Sequence, residues 1–167
     1  MADNASPTAP ASPIAEPMQD MPVAVPVVGQ VVLDCPDARG LAEFYRQLLA
    51  WPYREGDAPP PAGEPDPNGS DWLVLRNPRG GVGIAFQQVA DLPAPTWPDG
   101  PRPQMLHLDL MTGSTTELAA LRERVKDLGG AVLYDRFDDA QEPLYVFGDP
   151  AGHPFCIFVA PPESLEL

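Results

Sequence analysis

The histidine–carboxylate pair His107 and Asp109 is the sequence feature best suited to chemistry. It lies in the run Met105-Leu-His-Leu-Asp-Leu110, where leucine occupies every second position. Alternate side chains of a β-strand point to the same face, so His107 and Asp109 share one face and the leucines take the other. A histidine held by a carboxylate can act as a general base or acid, although a strand histidine can also be a hydrogen-bonded core group. We therefore treat His107 and Asp109 as candidate catalytic residues.

The other reactive side chains favour structural roles. Two cysteines, Cys35 and Cys156, are too few for a disulfide framework or a zinc knuckle. Cys156 stands among apolar neighbours and Cys35 ends a short, mainly apolar run, which is typical of a thiol that packs in a core rather than reacts. His153 follows a glycine in a predicted turn and is expected to face solvent. Trp97 stands between prolines, where it either caps a cavity mouth or packs between two halves of the fold, and so rigid a segment favours packing.

Composition and charge exclude several classes of function. The chain has 167 residues, 44% of them hydrophobic, which fits one domain with a tail. Its 24 acidic and 10 basic residues give a net charge of −14, which disfavours nucleic acids and anionic membranes because both require clustered Lys and Arg. No apolar run approaches the roughly 20 residues of a transmembrane helix, and the N-terminus has no secretory signal pattern. We expect a cytoplasmic protein that binds neither nucleic acid nor membrane.

Proline marks the segments that connect the packed parts of the chain. Many of the 24 prolines fall in three segments, and proline fixes φ and lacks the N–H that strands and helices use. Residues 1–26, rich in Ala and Pro, are predicted to be a disordered tail. Residues 56–70 are predicted to be a long surface loop that could gate a cavity, and residues 91–103 to be a linker.

The segments between these prolines form a repeat. The run Gln30–Cys35 and the run 105–110 each predict a strand. A capping residue then begins a helix in each copy: Asp37 in the first, and Ser114 with Glu117 as a capping box in the second. The two strand–helix junctions align without a gap, which indicates a duplicated unit.

Both copies continue in the same way. Further strands are predicted at residues 52–55, 72–76 and 82–89 in the first copy and at 131–135, 144–148 and 155–160 in the second. The turns that begin at Asn77-Pro and Asp149-Pro each carry a glycine two residues after the proline, which favours a tight turn. The sequence thus predicts an α+β domain over residues 27–162, made of two tandem β-α-β-β-β modules. We call residues 27–90 module one and residues 104–160 module two, with the linker at 91–103.

These modules resemble the vicinal oxygen chelate superfamily, which includes glyoxalase I, bleomycin-resistance proteins and extradiol dioxygenases. The resemblance spans about residues 27–160. It rests on the strings Val31–Asp37, Phe86-Gln87, Pro95–Pro98, His107–Leu110 and Asp149–Cys156 in this order and spacing. It implies the glyoxalase/bleomycin resistance/dioxygenase fold, in which each module forms a curved half-barrel sheet.

The resemblance also implies where a metal ion would lie. Metal-dependent members take one ligand from the first strand and one from the last strand of each module. Here those positions fall on Gln30, Ala85 (or Ile84), His107 and Cys156. Neither Ala85 nor Ile84 can bind a metal, and Asp109 would join only if the strand register slipped by one residue. Since a catalytic divalent metal needs about three protein ligands, we expect no cofactor, with a divalent metal as the open alternative.

Two main classes of function fit these features. The first, which the incomplete metal set favours, is a binding protein that holds a small apolar or aromatic molecule between curved sheets. The second is a lyase, isomerase or dioxygenase-like enzyme that uses His107 with or without a divalent metal; an accessory domain without a ligand is a third alternative. We expect a homodimer, as the resemblance implies. The candidate ligand-binding residues are Gln30, Val32, Phe86, Trp97, Met105, His107, Cys156 and Phe158.

Overall fold

Each half of the sequence forms one sheet. In the computed structural model, which describes residues 26–165, module one contains β1 (Gln30–Cys35), α1 (Ala38–Leu49), β2 (Trp72–Leu75) and β3 (Gly83–Gln88). Module two contains β4 (Leu108–Thr112), α2 (Thr115–Asp127), β5 (Ala131–Arg136), β6 (Leu144–Gly148) and β7 (Pro154–Val159). The strand orders are β1-β3-β2 and β4-β7-β6-β5, and in both sheets the first strand pairs in parallel with the last. The predicted α+β fold is confirmed, while the predicted tail falls, except for its last residue, outside the described residues.

The structure corrects two predicted strands. Instead of a strand over residues 52–55, module one has a single antiparallel bridge between Tyr53 and Leu75, so its sheet has three strands rather than four. In module two, β4 begins at Leu108, which pairs with Phe155, and residues 105–107 precede it. The β7 residue that would pair with His107 is Pro154, which has no N–H to extend the ladder. His107 therefore lies just outside the sheet.

Both helices begin at the predicted caps. The Asp37 carboxylate accepts a hydrogen bond from Gly40 N at 2.8 Å, and the Ser114 hydroxyl accepts one from Glu117 N at 3.2 Å. The Glu117 carboxylate accepts from Gly113 N at 2.9 Å, one residue before the partner expected in a capping box. The two helices have 12 and 13 residues, and among residues 26–165 no helix is long and apolar enough to cross a bilayer.

The helices pack on one face of each sheet, and on the other face the edge strands β1 and β4 keep exposed side chains. On β1, Leu33 and the predicted core residue Cys35 are buried against the helices, whereas Val32 and Asp34 are exposed. The strand β4 alternates in the same way, with Asp109 on its exposed face. Aromatic rings join the two modules in one core; the Tyr45 ring lies 5.7 Å from that of Phe86 and 6.1 Å from that of Phe155. The exposed side chains of these two edge strands are available to form a site.

The proline-rich loop over residues 56–70 is tied to module one. The Arg39 guanidinium donates to both carboxylate oxygens of Asp66, at 2.8 and 3.0 Å, and to the Asp57 backbone carbonyl at 2.8 Å. The buried Asp57 carboxylate accepts from Val74 N in β2 at 2.8 Å. No residue of this loop lines the cavity described below, so the structure does not support the predicted gate.

Candidate functional site

A cavity of about 540 Å³ lies where module one, the linker and the start of module two meet. From β1 it is lined by Val32, Leu33 and Asp34, and from α1 by the buried Tyr45. The opposite wall comes from residues 104–108, just before and at the start of β4. Most of these walls are apolar, which suits a ligand with an apolar body.

The linker covers this cavity as a closed turn. Leu92, Pro93 and Pro95 line the cavity. Thr96 N donates to the Arg102 carbonyl at 2.7 Å, Arg102 N donates to Thr96 Oγ1 at 2.9 Å, and the Arg102 guanidinium donates to the Ala94 carbonyl at 2.8 Å. These hydrogen bonds fix the shape of the linker without help from module one.

Trp97, at the tip of that turn, packs against module two. Its ring meets the Tyr134 ring of β5 edge-on, with centroids 6.3 Å apart, and it does not line the cavity. Of the two sequence-based interpretations of Trp97, this geometry favours packing over a cap. The linker is therefore anchored by an aromatic contact outside the cavity.

At the cavity edge, three potential metal ligands lie together. Asp109 on β4 is directly paired with Cys156 on β7, and His107 Nε2 lies 3.3 Å from Asp109 Oδ1. One ligand atom from each of His107, Asp109 and Cys156 lies within 4.8 Å of the others. Burial and the neighbouring Asp109 carboxylate raise the pKa of the Cys156 thiol from 9.0 to about 11. The free thiol is thus protonated at neutral pH.

Gln104 lies beside the other ring nitrogen of His107, Nδ1. Its amide nitrogen lies 3.5 Å from His107 Nδ1, and its amide oxygen is buried without a hydrogen-bond partner. Unpaired buried acceptors cost about 1–3 kcal/mol, so few occur without a reason. Gln104 lines the cavity, so its oxygen is an unpaired hydrogen-bond acceptor at the cavity wall.

His153 does not face solvent as the sequence predicted. It lines the cavity, and its Nδ1 lies 2.8 Å from Oδ2 of the fully buried Asp149 side chain. Tyr45 OH donates to the same oxygen at 3.0 Å, while the backbone N–H groups of Ala151 and His153 donate to Oδ1, both at 2.9 Å. Because Tyr45 belongs to α1 and Asp149 to the turn between β6 and β7, this cluster joins the two modules.

The cluster shifts the pKa values of His153 and Tyr45. Burial lowers the pKa of His153, but the hydrogen bond and charge of Asp149 and a hydrogen bond to the Asp34 backbone outweigh burial and raise it above the ordinary 6.5. Burial, then the charge of Asp149, raises the pKa of Tyr45 well above its usual value. His153 is thus stabilised as a cation in the cavity wall.

The predicted ligand-binding residues divide into four groups. Val32, Met105 and His107 line the cavity. Cys156 lies next to the cavity, in the cluster that it forms with His107 and Asp109. Gln30, Trp97 and Phe158 are not among the residues that line it. Phe86 is a correction: it lies on the helix-facing side of β3 and is fully buried against Tyr45.

The pairing of the strands settles which positions of the two modules are equivalent. Val32 pairs with Ala85 in module one as Asp109 pairs with Cys156 in module two, which selects Ala85 over Ile84 for the degenerate position. Ala85 is fully buried and, like Val32, has no ligand atom. A metal set drawn from both modules does not fit these residues, because module one offers only Gln30.

Sequence reasoning missed several cavity residues. Tyr45 lies on the buried face of α1, and Arg102 and Gln104 stand in segments without a periodic pattern, whereas the alternation of residues 105–110 placed Leu106 on the face opposite His107. One signal was available for His153. It follows Asp149 within a single turn, where a carboxylate commonly bonds nearby backbone N–H groups and can hold a side chain close by.

The family follows from comparison with known sequences. The family model described as the glyoxalase-like domain matches residues 30–158. That match covers most of the chain, so the chain belongs to this family, within the vicinal oxygen chelate superfamily. Among curated proteins no sequence matches the chain at a significant level.

Solved structures agree with this fold. A glyoxalase/bleomycin resistance protein/dioxygenase family enzyme from Burkholderia phytofirmans PsJN is similar with a TM-score of 0.57 and 14% identity, over 80% of this chain and 98% of that one. A glyoxalase/dioxygenase from Nostoc punctiforme gives 0.54 and 17%, over 84% and 98%. A glyoxalase-related enzyme from Fulvimarina pelagi gives 0.53 and 20%, over 81% and 89%. At these identities the likeness establishes the fold alone.

Proposed function

We propose that this protein binds a small apolar or aromatic molecule in the cavity between its modules. The single observation that carries the proposal is the cavity itself, about 540 Å³ with mainly apolar walls. This volume falls within the roughly 300–1,000 Å³ of typical small-molecule sites, which pair apolar walls with a few polar groups. A ring system packed against Val32, Leu33 and Leu106 would exclude water from these surfaces.

The polar groups of the cavity narrow the chemistry of the ligand. His107, Gln104 and Arg102 lie along the wall opposite β1, while His153 lies beside Asp34. The unpartnered Gln104 oxygen accepts a hydrogen bond, so a ligand with a hydroxyl or amine substituent gains more there than an unsubstituted ring. Phenols and anilines are therefore better probes than toluene.

The assembly and location follow as further parts of this proposal. The open sheet faces leave large apolar side chains exposed, including Val32, Met111 and Tyr134. Patches of this kind commonly mark contacts between subunits, and we infer a homodimer. A cytoplasmic location agrees with two free cysteines in the described part of the chain.

A second candidate is an enzyme of the lyase, isomerase or dioxygenase type. The observation that favours it is the distance of 3.3 Å between His107 Nε2 and Asp109 Oδ1 at the cavity edge. A histidine oriented by a carboxylate is suited to move a proton to or from a bound ligand. Replacement of His107 by Gln would then abolish turnover while ligand affinity stays within about tenfold.

A thermal-shift screen followed by calorimetry tests the binding proposal. The library contains phenols, anilines and unsubstituted aromatics, and it is run on protein treated with EDTA so that bound metal plays no part. We expect a rise in melting temperature with phenols, since a ligand that binds only the folded state stabilises it. No shift with any aromatic compound, and no heat of binding, would contradict the proposal.

A matched pair of variants locates the binding. Leu106 lines the cavity and is half-exposed, so Leu106→Arg places a charge in the cavity without emptying the core. Leu133→Arg is the control, because Leu133 is similarly exposed on β5 but does not line the cavity. We expect at least about a tenfold loss of affinity, or ~1.4 kcal/mol, for the first and little change for the second. Equal losses would place the ligand elsewhere.

A further inference from the structure

Module two alone brings together three different metal ligands, and module one brings none to the same place. We propose that His107, Asp109 and Cys156 bind one zinc ion, with all protein ligands supplied by module two. This site goes beyond the proposed function, which requires no metal. It also differs from the arrangement that the superfamily resemblance implied, in which both modules supply ligands, because Val32 and Ala85 stand where a second pair would be needed.

The fold brings the three side chains together. Asp109 and Cys156 are direct partners on adjacent parallel strands, so their side chains point the same way. His107 precedes Asp109 by two residues, and its Nε2 already lies 3.3 Å from Asp109 Oδ1. Tetrahedral zinc with bonds of about 2.0–2.3 Å separates its ligand atoms by roughly 3.4–3.8 Å. Ligand atoms that lie within 4.8 Å of one another reach this spacing by side-chain rotation.

The donor set favours zinc over magnesium and calcium. Magnesium and calcium prefer oxygen ligands and use several of them, whereas one imidazole, one carboxylate and one thiolate form a mixed set that suits zinc. Three protein ligands leave the fourth position of a tetrahedron open. Since His107 also lines the cavity, the open position lies at the cavity edge, within reach of a ligand oxygen.

Gln104 supplies a second, independent observation. Histidines that bind metal through one ring nitrogen usually donate the other N–H to a carbonyl or carboxylate. Gln104 lies 3.5 Å from His107 Nδ1 and has a buried oxygen without a partner. Turning the amide over presents that oxygen to Nδ1–H, which leaves Nε2, on the side of Asp109, as the zinc-binding atom. In the zinc-bound form this oxygen is then paired, whereas in the metal-free protein it stays open to the ligand of the proposed function.

Cobalt substitution tests the site without any enzyme assay. The full-length protein, stripped with EDTA, is titrated with CoCl₂, because tetrahedral cobalt gives intense visible bands and a thiolate ligand adds a near-ultraviolet charge-transfer band. We expect one cobalt per chain with both signals, displaced by one equivalent of ZnCl₂. No binding, or binding without the charge-transfer band, would overturn the proposal.

Variants assign each ligand. We expect Cys156→Ser to remove the charge-transfer band. We expect Gln104→Leu to weaken cobalt binding roughly 10–100-fold and Asp109→Asn to weaken it further. Cys35→Ala is the matched control for the thiol, since Cys35 is buried in the core of module one; it keeps the band. Circular dichroism tests whether each variant is folded. If Cys156→Ser does not fold, Cys156→Ala replaces it in the same experiment. A band that survives loss of Cys156 or disappears with Cys35→Ala refutes the assignment.

Discussion

Module one places Val32 beside Ala85 at the position where module two places Asp109 beside Cys156, because β1 pairs with β3 as β4 pairs with β7. One step along the same strands, Leu33 pairs with Phe86, and Leu110 pairs with Ile157. The helix-facing positions of both modules are thus apolar, whereas the open-face positions differ completely. The packed face of a duplicated unit is constrained by the core, and the open face can acquire a different chemistry in each copy.

The two turns that precede the last strand of each sheet differ in the same way. Asn77 in module one is bonded to Arg79 N at 2.9 Å in an exposed turn. Asp149 in module two is fully buried and accepts from Tyr45 and His153 as well as from its own turn. In module two this turn forms the polar junction between the modules, and its last residue, His153, lines the cavity.

Substitution of these two turn residues gives the largest expected difference between the modules. Asp149→Ala leaves His153, the Tyr45 hydroxyl and two backbone N–H groups without their acceptor, and breaking a buried pair in this way costs about 3–5 kcal/mol. Asn77→Ala removes one exposed bond and costs about 0.5–1 kcal/mol. Urea denaturation measures both values. Similar losses in the two variants would show that the turns are energetically equivalent.

The pH dependence of stability gives a smaller effect at the same junction. The pKa of His153 in the folded protein is raised above its ordinary value of 6.5, so folding favours the protonated ring. This contribution is complete below the unfolded pKa and is lost as pH rises through the folded pKa. We expect the urea midpoint of the wild type to fall as pH rises above about 6.5, and this fall to be absent in His153→Gln.

His107 provides the control for that titration. It is the only other histidine in the chain, so His107→Gln should retain the fall in stability across the same pH range. Carbon–proton spectra of the two histidine rings then assign the titration directly. An unchanged pH dependence in His153→Gln would contradict the role assigned to the junction.

Local sequence patterns predicted most of the fold. The caps Asp37 and Ser114 marked where α1 and α2 begin, because capping signals depend on residues a few positions apart. The strand expected at residues 52–55 is only a bridge at Tyr53, since a short segment that begins with proline has few ladder bonds to make. Strand ends depend on partners that a single segment does not reveal.

The site was less predictable for the same reason. His107 and Asp109 were found because they stand two residues apart in an alternating sequence pattern. The junction of Tyr45 with Asp149 joins residues 104 positions apart, and no local pattern relates them. Asp109 was thought to need a register slip to join a metal set, yet the observed register itself places it beside Cys156.

Chemical-shift mapping tests the central claim, that the cavity between the modules binds a small aromatic molecule. Nitrogen–proton spectra of the EDTA-treated protein are recorded during titration with the phenol that gives the largest thermal shift. We predict saturable shifts for the backbone amides of Val32–Asp34, Leu92 and residues 104–108, which line the cavity. The absence of saturable shifts, or shifts confined to the loop over residues 56–70 or to the start of α1, would contradict the account.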